Sequence, residues 1–190
     1  VKLTGDPNFS LNLSADKTVI THGESVSYTL NLYNSGTASK TGCVEIPVPS
    51  TLVVTKEAKE AIEKQGGSVE VEAQGNSTIV FDYKDHTPAG TSTAIETWNF
   101  DLKSHDGYKK VDENIDLTAS ITQIQGDPLK TPINSNTVSV RLFAGEDLEL
   151  TVTADKDRLK PGDQISFSIQ LKNNGKAQSH NGKIAFEIPD

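Results

Sequence analysis

Along residues 25–33 the chain reads SVSYTLNLY, and Val26, Tyr28, Leu30 and Leu32 alternate with Ser25, Ser27, Thr29 and Asn31. A period of two predicts a strand with one face buried and one face in water. The rhythm returns at 164–171, where Ile165, Phe167, Ile169 and Leu171 form the expected buried set. It returns at 98–102 with Trp98, Phe100 and Leu102, at 115–121 with Ile115, Leu117, Ala119 and Ile121, and at 136–142 with Val138, Val140 and Leu142. Shorter candidates are 9–13, 42–48, 68–72 and 77–83. Turn-forming runs separate them: Asn34-Ser35-Gly36, Gly66-Gly67, Pro88-Ala89-Gly90 and Asn173-Asn174-Gly175. Clean alternation over about nine short strands predicts an all-β, antiparallel two-sheet sandwich.

One stretch breaks the rhythm. Residues 55–65, TKEAKEAIEKQ, place Ala58, Ala61 and Ile62 at helical spacing. Thr55 is positioned to cap the start and Gly66 to end it. Lys56/Glu60 and Glu60/Lys64 stand i,i+4 apart. A short surface helix between strands is expected there.

The chain also repeats itself. At an offset of 139, nine positions between Ala15 and Ala38 are identical, among them Ala15/Ala154, Asp16/Asp155, Lys17/Lys156, Gly23/Gly162, Asn34/Asn173 and Gly36/Gly175. Glu45-Ile46-Pro47 finds Glu187-Ile188-Pro189. Residues 1–3 fall on 140–142. The expected organisation is therefore a tail of a preceding repeat with its linker at 1–5, a complete repeat at 9–142, a short linker at 143–147, and the first strands of an incomplete second repeat at 148–190. Linkers this short restrict hinge motion, and sandwiches in series would each add roughly 30 Å of length.

Composition narrows the reading. At 190 residues the chain is one large domain or one and a half. Its net charge of −8, without a basic cluster, argues against nucleic-acid binding and against docking on an anionic membrane. A single Cys leaves no disulfide framework and no cysteine-built metal site. No run approaches 18 apolar residues, so this segment is not expected to insert directly into a membrane. The absence of Met, with Val1 first, suggests a processed protein or an excised piece.

The run from Ala15 to Ala38 resembles the DUF11-type conserved repeat of bacterial and archaeal surface proteins. Its shared features are Gly23-Glu24 before a tyrosine-bearing strand, then Asn34-Ser35-Gly36-Thr37-Ala38, then Ile46-Pro47 leading to Leu52. Pro88-Ala89-Gly90 and the Asn-rich run 134–138 resemble later steps of the same pattern. The helix near Lys56 departs from it, as does the missing Asp before the Pro. The resemblance implies an Ig-like sandwich used in stalks, adhesins and cell-surface layers.

Motifs for chemistry are scarce. There is no nucleophile elbow, dinucleotide fingerprint or P-loop, and no enzyme activity is expected. His22, His86, His105 and His180 lack metal-ligand spacing and are expected as solvated loop residues. Cys43 is expected as a buried or half-buried free thiol, and Trp98 as a core residue rather than a sugar platform. Two site hypotheses follow. Asp6, Glu146 and Asp147 lie at the junctions, where carboxylates converging with Asp112, Glu113 or Asp155 would bind calcium; ordinary solvated acidity is the competing reading. Lys17, Glu45 and Asn136 (or Asn134) would be the lysine, acid and amide of an intramolecular isopeptide bond of the kind found in related Gram-positive surface domains. Such chemistry requires a buried Lys and acid. Asn8, Asn12 and Asn76 are formal N-x-S/T sites. The expected function is a structural spacer repeat of an extracellular microbial surface protein, with neighbouring repeats or subunits as partners. The alternative is a cohesin-like protein-binding module of an extracellular scaffold.

Overall fold

The structure is a computed structural model that describes residues 5–105, 112–143, 148–173 and 182–185. These fall into two units, one ending at Phe143 and one beginning at Leu148.

In the first unit, β1 (Phe9–Ala15), β3 (Ser25–Asn34), β8 (Glu96–Ser104) and β5 (Leu52–Val53) form an antiparallel sheet in the order β1-β3-β8-β5. Opposite it stands a five-stranded sheet: β11 (Asp127–Asn134), β10 (Ser120–Ile124), β4 (Gly42–Val48), β7 (Ser77–Tyr83) and β6 (Gly67–Val71), in that order. A third sheet joins β2 (Val19–Ile20), β12 (Val138–Phe143) and β9 (Asp112–Leu117), with β2 parallel to β12. The expected all-β sandwich is what the first unit forms, with a three-stranded sheet besides the two expected.

The alternation explains the layering. Tyr28, Leu30 and Leu32 of β3 point inward with Trp98, Phe100 and Leu102 of β8, and they meet Val44, Ile46 and Val48 of β4 and Ile79, Phe81 and Tyr83 of β7 in one core cluster. Aromatic rings cross between the layers. Phe81 stacks on Trp98 with centroids 5.2 Å apart and tilts against Phe100 at 6.1 Å, while Phe9 meets Tyr83 edge-on at 5.2 Å. Trp98 is 2 % exposed and Cys43 is buried, as expected. On the wet face of the first sheet, polar side chains pair across strands: Ser27 with Asp101, Thr29 with Asn99, and Asn31 with Thr97.

The helix α1 (Lys56–Lys64) forms where its spacing placed it. Thr55 Oγ1 accepts the amide hydrogen of Ala58, Gly66 follows the helix with φ +79°, and Ala58 and Ile62 are its buried residues. Ala61 faces solvent instead. The observed ion pairs are Lys56–Glu60 and Lys59–Glu63, both exposed.

Residues 115–121 depart from expectation. They are two strands, not one: β9 pairs with β12, whereas β10 pairs with β4 and β11. The inward row Ile115, Leu117, Ala119, Ile121 stays buried throughout, because a period of two sets which face is apolar and leaves open which sheet a strand joins. At the corner, Ser135 satisfies both backbone groups of Ala119: its Oγ accepts from Ala119 N and its N donates to Ala119 O. Strand β11 was not expected, because it carries Pro128 and Pro132. It lies at a sheet edge, where a residue without N–H is tolerated. Gln125 and Gly126, at φ 53° and 83°, turn β10 into it.

The expected strand 136–142 starts only at Val138, since Asn136 does other work. Its Oδ1 accepts from Leu13 N and its Nδ2 donates to Leu13 O, so the amide pairs with the edge of β1 as a peptide group would. Gln65 does the same on β8, accepting from Asn99 N and donating to Asn99 O. Asn136→Ala is expected to lower the stability of the first unit by about 1–2 kcal/mol, measured as the midpoint and slope of urea unfolding. No change in either would contradict the pairing.

The second unit contains β13 (Leu148–Ala154) and β14 (Phe167–Asn173), paired antiparallel. The expected strand 164–171 begins only at Phe167. Its inward set is not buried: Phe167, Ile169 and Leu171 are all exposed, because no second sheet lies over them among the described residues.

Candidate functional site

The chain enters the first unit along the turn that follows β3. Asn34 is fully buried there and its amide serves three backbone groups. Oδ1 accepts from Asn8 N and Gly36 N, each at 3.0 Å, and Nδ2 donates to Ala38 O at 2.9 Å. Its own carbonyl accepts from Ala89 N and Gly90 N. Ser35 N donates to Asn8 O, Thr37 N donates to Asp6 O, and Asn8 Nδ2 donates to Ser35 Oγ. A Cβ on Gly36 would lie 2.3 Å from Asp6 O and 2.4 Å from Asn8 N, so the entering backbone passes where a side chain would otherwise stand. The Asn-Ser-Gly run is thus a clamp on residues 6–8. Its turn character was legible in the sequence; its grip on a segment at the far end of β1 and β3 was not.

The second site is the exposed sheet of β13 and β14. Its pairing reproduces that of β1 with β3 at an offset of 139: Leu148↔Asn173 stands for Phe9↔Asn34, Leu150↔Leu171 for Leu11↔Leu32, and Ala154↔Phe167 for Ala15↔Tyr28. The turn polar contacts repeat as well. Lys17 Nζ donates to Ser25 O and Lys156 Nζ to Gln164 O. Asp16 Oδ1 accepts from Ser27 N and Asp155 Oδ1 from Ser166 N, both at 2.8 Å. Glu24 accepts from Thr21 N and Asp163 from Lys160 N. The bond from Thr21 holds the Glu24 carboxyl below its ordinary range.

The calcium hypothesis divides. Glu146 and Asp147 lie outside the described residues. Asp6 is exposed and takes part in the clamp through its backbone carbonyl. Asp112 is paired with Arg141, whose Nε reaches Oδ1 at 2.7 Å and holds the carboxyl below its usual range. Asp155 is occupied by Ser166 N. Among the described residues no three His, Cys, Asp or Glu side chains group as metal ligands.

The three isopeptide candidates are engaged separately. Lys17 is exposed and bonded to Ser25 O, Asn136 is bonded to Leu13, and Glu45 Oε1 accepts from Thr122 Oγ1 at 2.8 Å. Asn134 accepts from Ser120 Oγ. Each of the four thus has a different partner, and the hydrogen bonds that hold them do not bring Lys17, Glu45 and Asn136 together.

His22 corrects the expectation of a solvated loop. It is 7 % exposed, and its Nδ1 donates to His105 O at 3.2 Å. His86 is half-buried against Glu96 at 2.6 Å. His105 is exposed and His180 lies outside the described residues. Of the three sequons, Asn8 and Asn76 use their side chains within the fold, Asn76 accepting from Ser50 N.

Two tyrosine hydroxyls, Tyr28 and Tyr83, are buried without a partner among the described residues. Burial raises the pKa of both, that of Tyr28 to about 12, with Asp16 adding to it. The folded state therefore holds these protons where the unfolded chain has lost them, near pH 10. Stability is full below pH 10 and falls as pH rises towards 12. Tyr28→Phe is expected to flatten that fall by on the order of 1–2 kcal/mol and to cost nothing at pH 7, checked by urea titrations at pH 7 and pH 11. An unchanged alkaline slope would refute it.

No protein-family model matches the chain. Among solved structures it is similar to BcpA, the major pilin subunit of Bacillus cereus, at 12 % identity and a TM-score of 0.42, covering 89 % of this chain and 56 % of the pilin. It is similar to a non-cellulosomal cohesin from the hyperthermophilic archaeon Archaeoglobus fulgidus, at 13 % identity and a TM-score of 0.38, covering 71 % and 92 %. It is also similar to AvmM, which catalyzes macrocyclization in alchivemycin A biosynthesis, at 15 % identity and a TM-score of 0.36, covering 74 % and 91 %. Likenesses at this level span proteins of different function and do not extend to the activity of this chain.

Proposed function

We propose that the chain is a non-catalytic structural repeat of a microbial cell-surface protein, a spacer of the DUF11-type kind that carries neighbouring modules outside the cell. The observation that carries this reading is the repetition of the β1–β3 register, with its turn hydrogen bonds, in β13–β14. A chain that starts the same sandwich twice is built in series. The clamp around Asn34 supports it, since it fixes the segment entering a unit to the unit itself and shortens the free linker. The net charge of −8 suits a solvated extracellular surface. The polar side chains of the first unit support a non-catalytic role, because the candidate residues are spent on turns, strand edges and corners.

The test is surface labelling. Antibodies raised against the chain are expected to bind intact cells of the source organism, and protease shaving of those cells to release its peptides. Labelling only after lysis would refute the reading. Saturable micromolar binding of one defined partner to the chain would favour the cohesin-like module instead.

A further inference from the structure

We propose that the Asp6–Pro7 peptide bond is a self-cleaving joint: in mild acid the Asp6 side chain cuts its own backbone, and the clamp around Asn34 holds the bond ready for the step. The proposal rests on the clamp and stands apart from the serial-repeat reading.

An aspartate before a proline carries its own nucleophile. The protonated carboxyl of Asp6 adds one oxygen to the main-chain carbonyl carbon of the same residue. The bond from that carbon to Pro7 N breaks, and the carboxyl proton passes to the nitrogen. The products are a five-membered cyclic anhydride and a secondary amine. Water opens the anhydride, which restores the Asp6 side chain beside a new terminal carboxyl. Water is the one co-reactant. Proline suits the leaving position because its amide nitrogen bears no hydrogen and departs as a basic secondary amine.

The fold adds what the dipeptide lacks. Negative charge develops on Asp6 O as the carboxyl adds, and that oxygen already accepts from Thr37 N at 3.0 Å, where an oxyanion donor belongs. The backbone is fixed on both sides of the bond. A Cβ on Gly5 would lie 2.5 Å from Thr37 Oγ1, and one on Gly36 would lie 2.7 Å from Pro7 C. Asn8 N donates to Oδ1 of the buried Asn34, and Asn8 O accepts from Ser35 N. So held, the carbonyl has few ways to turn from its donor. The Asp6 side chain itself is exposed and has no partner among the described residues. The turn packed against it, residues 35–38, reads Ser-Gly-Thr-Ala and brings no charged or titratable group. After the cut Asn8 stays bound to Asn34, so the first unit keeps its fold. At the offset of 139 the equivalent pair is Gly145-Glu146, which has neither the nucleophile nor the proline.

Intact mass tests this. The chain and a synthetic peptide of residues 1–12 are kept in the same buffer, at the lowest pH where Trp98 emission is still native. The peptide has the same Asp–Pro bond without the clamp. A cut at the other Asp–Pro bond, Asp127–Pro128 in the β10–β11 hairpin, gives different masses and is read separately. One oxyanion donor in a closed site is worth about 100-fold or more. Thr37 N stands at an exposed turn, so the chain is expected to yield fragment 7–190 at least about 10-fold faster than the peptide is cut. The fragment should keep native Trp98 emission. Asp6→Asn should abolish the cut. Gly36→Ala, whose methyl pushes Asp6 O off Thr37 N, should bring the rate down to that of the peptide, whereas Thr37→Ser, which keeps the N–H, should leave it as it was. Three results overturn the proposal: a chain cut no faster than the peptide; cleavage of Asp6→Asn at the parent rate; or a Gly36→Ala chain with native emission that keeps the parent rate.

Discussion

Asn34→Ala is expected to destabilise the first unit by about 3 kcal/mol or more. Three hydrogen bonds disappear at once, each contributing about 1 kcal/mol net, and they leave Asn8 N, Gly36 N and Ala38 O without their partner in a site where Asn34 itself is fully buried. Unsatisfied groups in such places cost more than the bond that is lost. The chain's one Trp makes the measurement simple: Trp98 lies in the first unit, so its fluorescence during urea unfolding reports that unit. Residues 6–8 should exchange their amide hydrogens faster in the variant, because the clamp is their anchor. Ser35→Ala is the control. It removes only the two exposed bonds of Ser35 Oγ, which accepts from Asn8 Nδ2 at 2.8 Å and donates to Asn8 O at 3.5 Å, and is expected to stay within about 0.5 kcal/mol of the parent. If Asn34→Ala and Ser35→Ala behave alike, the clamp is not what holds the entering segment.

Phe81→Ala carries the other large effect, about 3–5 kcal/mol. Its ring is fully buried between the layers, against Trp98 and Phe100, and Gly67 and Ile62 close over it so that the hole cannot collapse readily. A Cβ on Gly67 would come within 2.7 Å of the Phe81 ring and of Ile62. The expected result is a lowered thermal midpoint with a red-shifted Trp98 emission, as water reaches the indole. A loss under about 1 kcal/mol with unshifted emission would mean that the aromatic stack is not the centre of the core.

Much of the sandwich was legible because strand periodicity is a local property. The strands at 42–48 and 77–83 have the bounds their alternation indicated, and the helix has the cap its Thr55 suggested. Strand β11 was hidden by its prolines, which are read as strand breakers until an edge position makes their missing N–H harmless. The site residues were less legible. Asn136 was conspicuous for its amide, but the same amide serves the edge of β1, at the opposite end of the first unit's sequence, and nothing near it along the chain indicates that. His22 sits between turn residues and is nevertheless buried, because His105, distant in sequence, supplies its partner.

By itself, then, the sequence determined which side chains share a face, where the chain turns, and that the pattern begins again near Leu148. These follow from spacing along the backbone. Tertiary structure alone decided which sheet each strand joined, as where 115–121 divides at Ala119. It also decided which apolar faces were covered. Tyr28 and Phe167 occupy equivalent positions in equivalent strands, yet one is fully buried and the other 57 % exposed. The physical reason is that alternation offers a face for burial, whereas burial itself requires a second sheet, supplied by residues far along the chain.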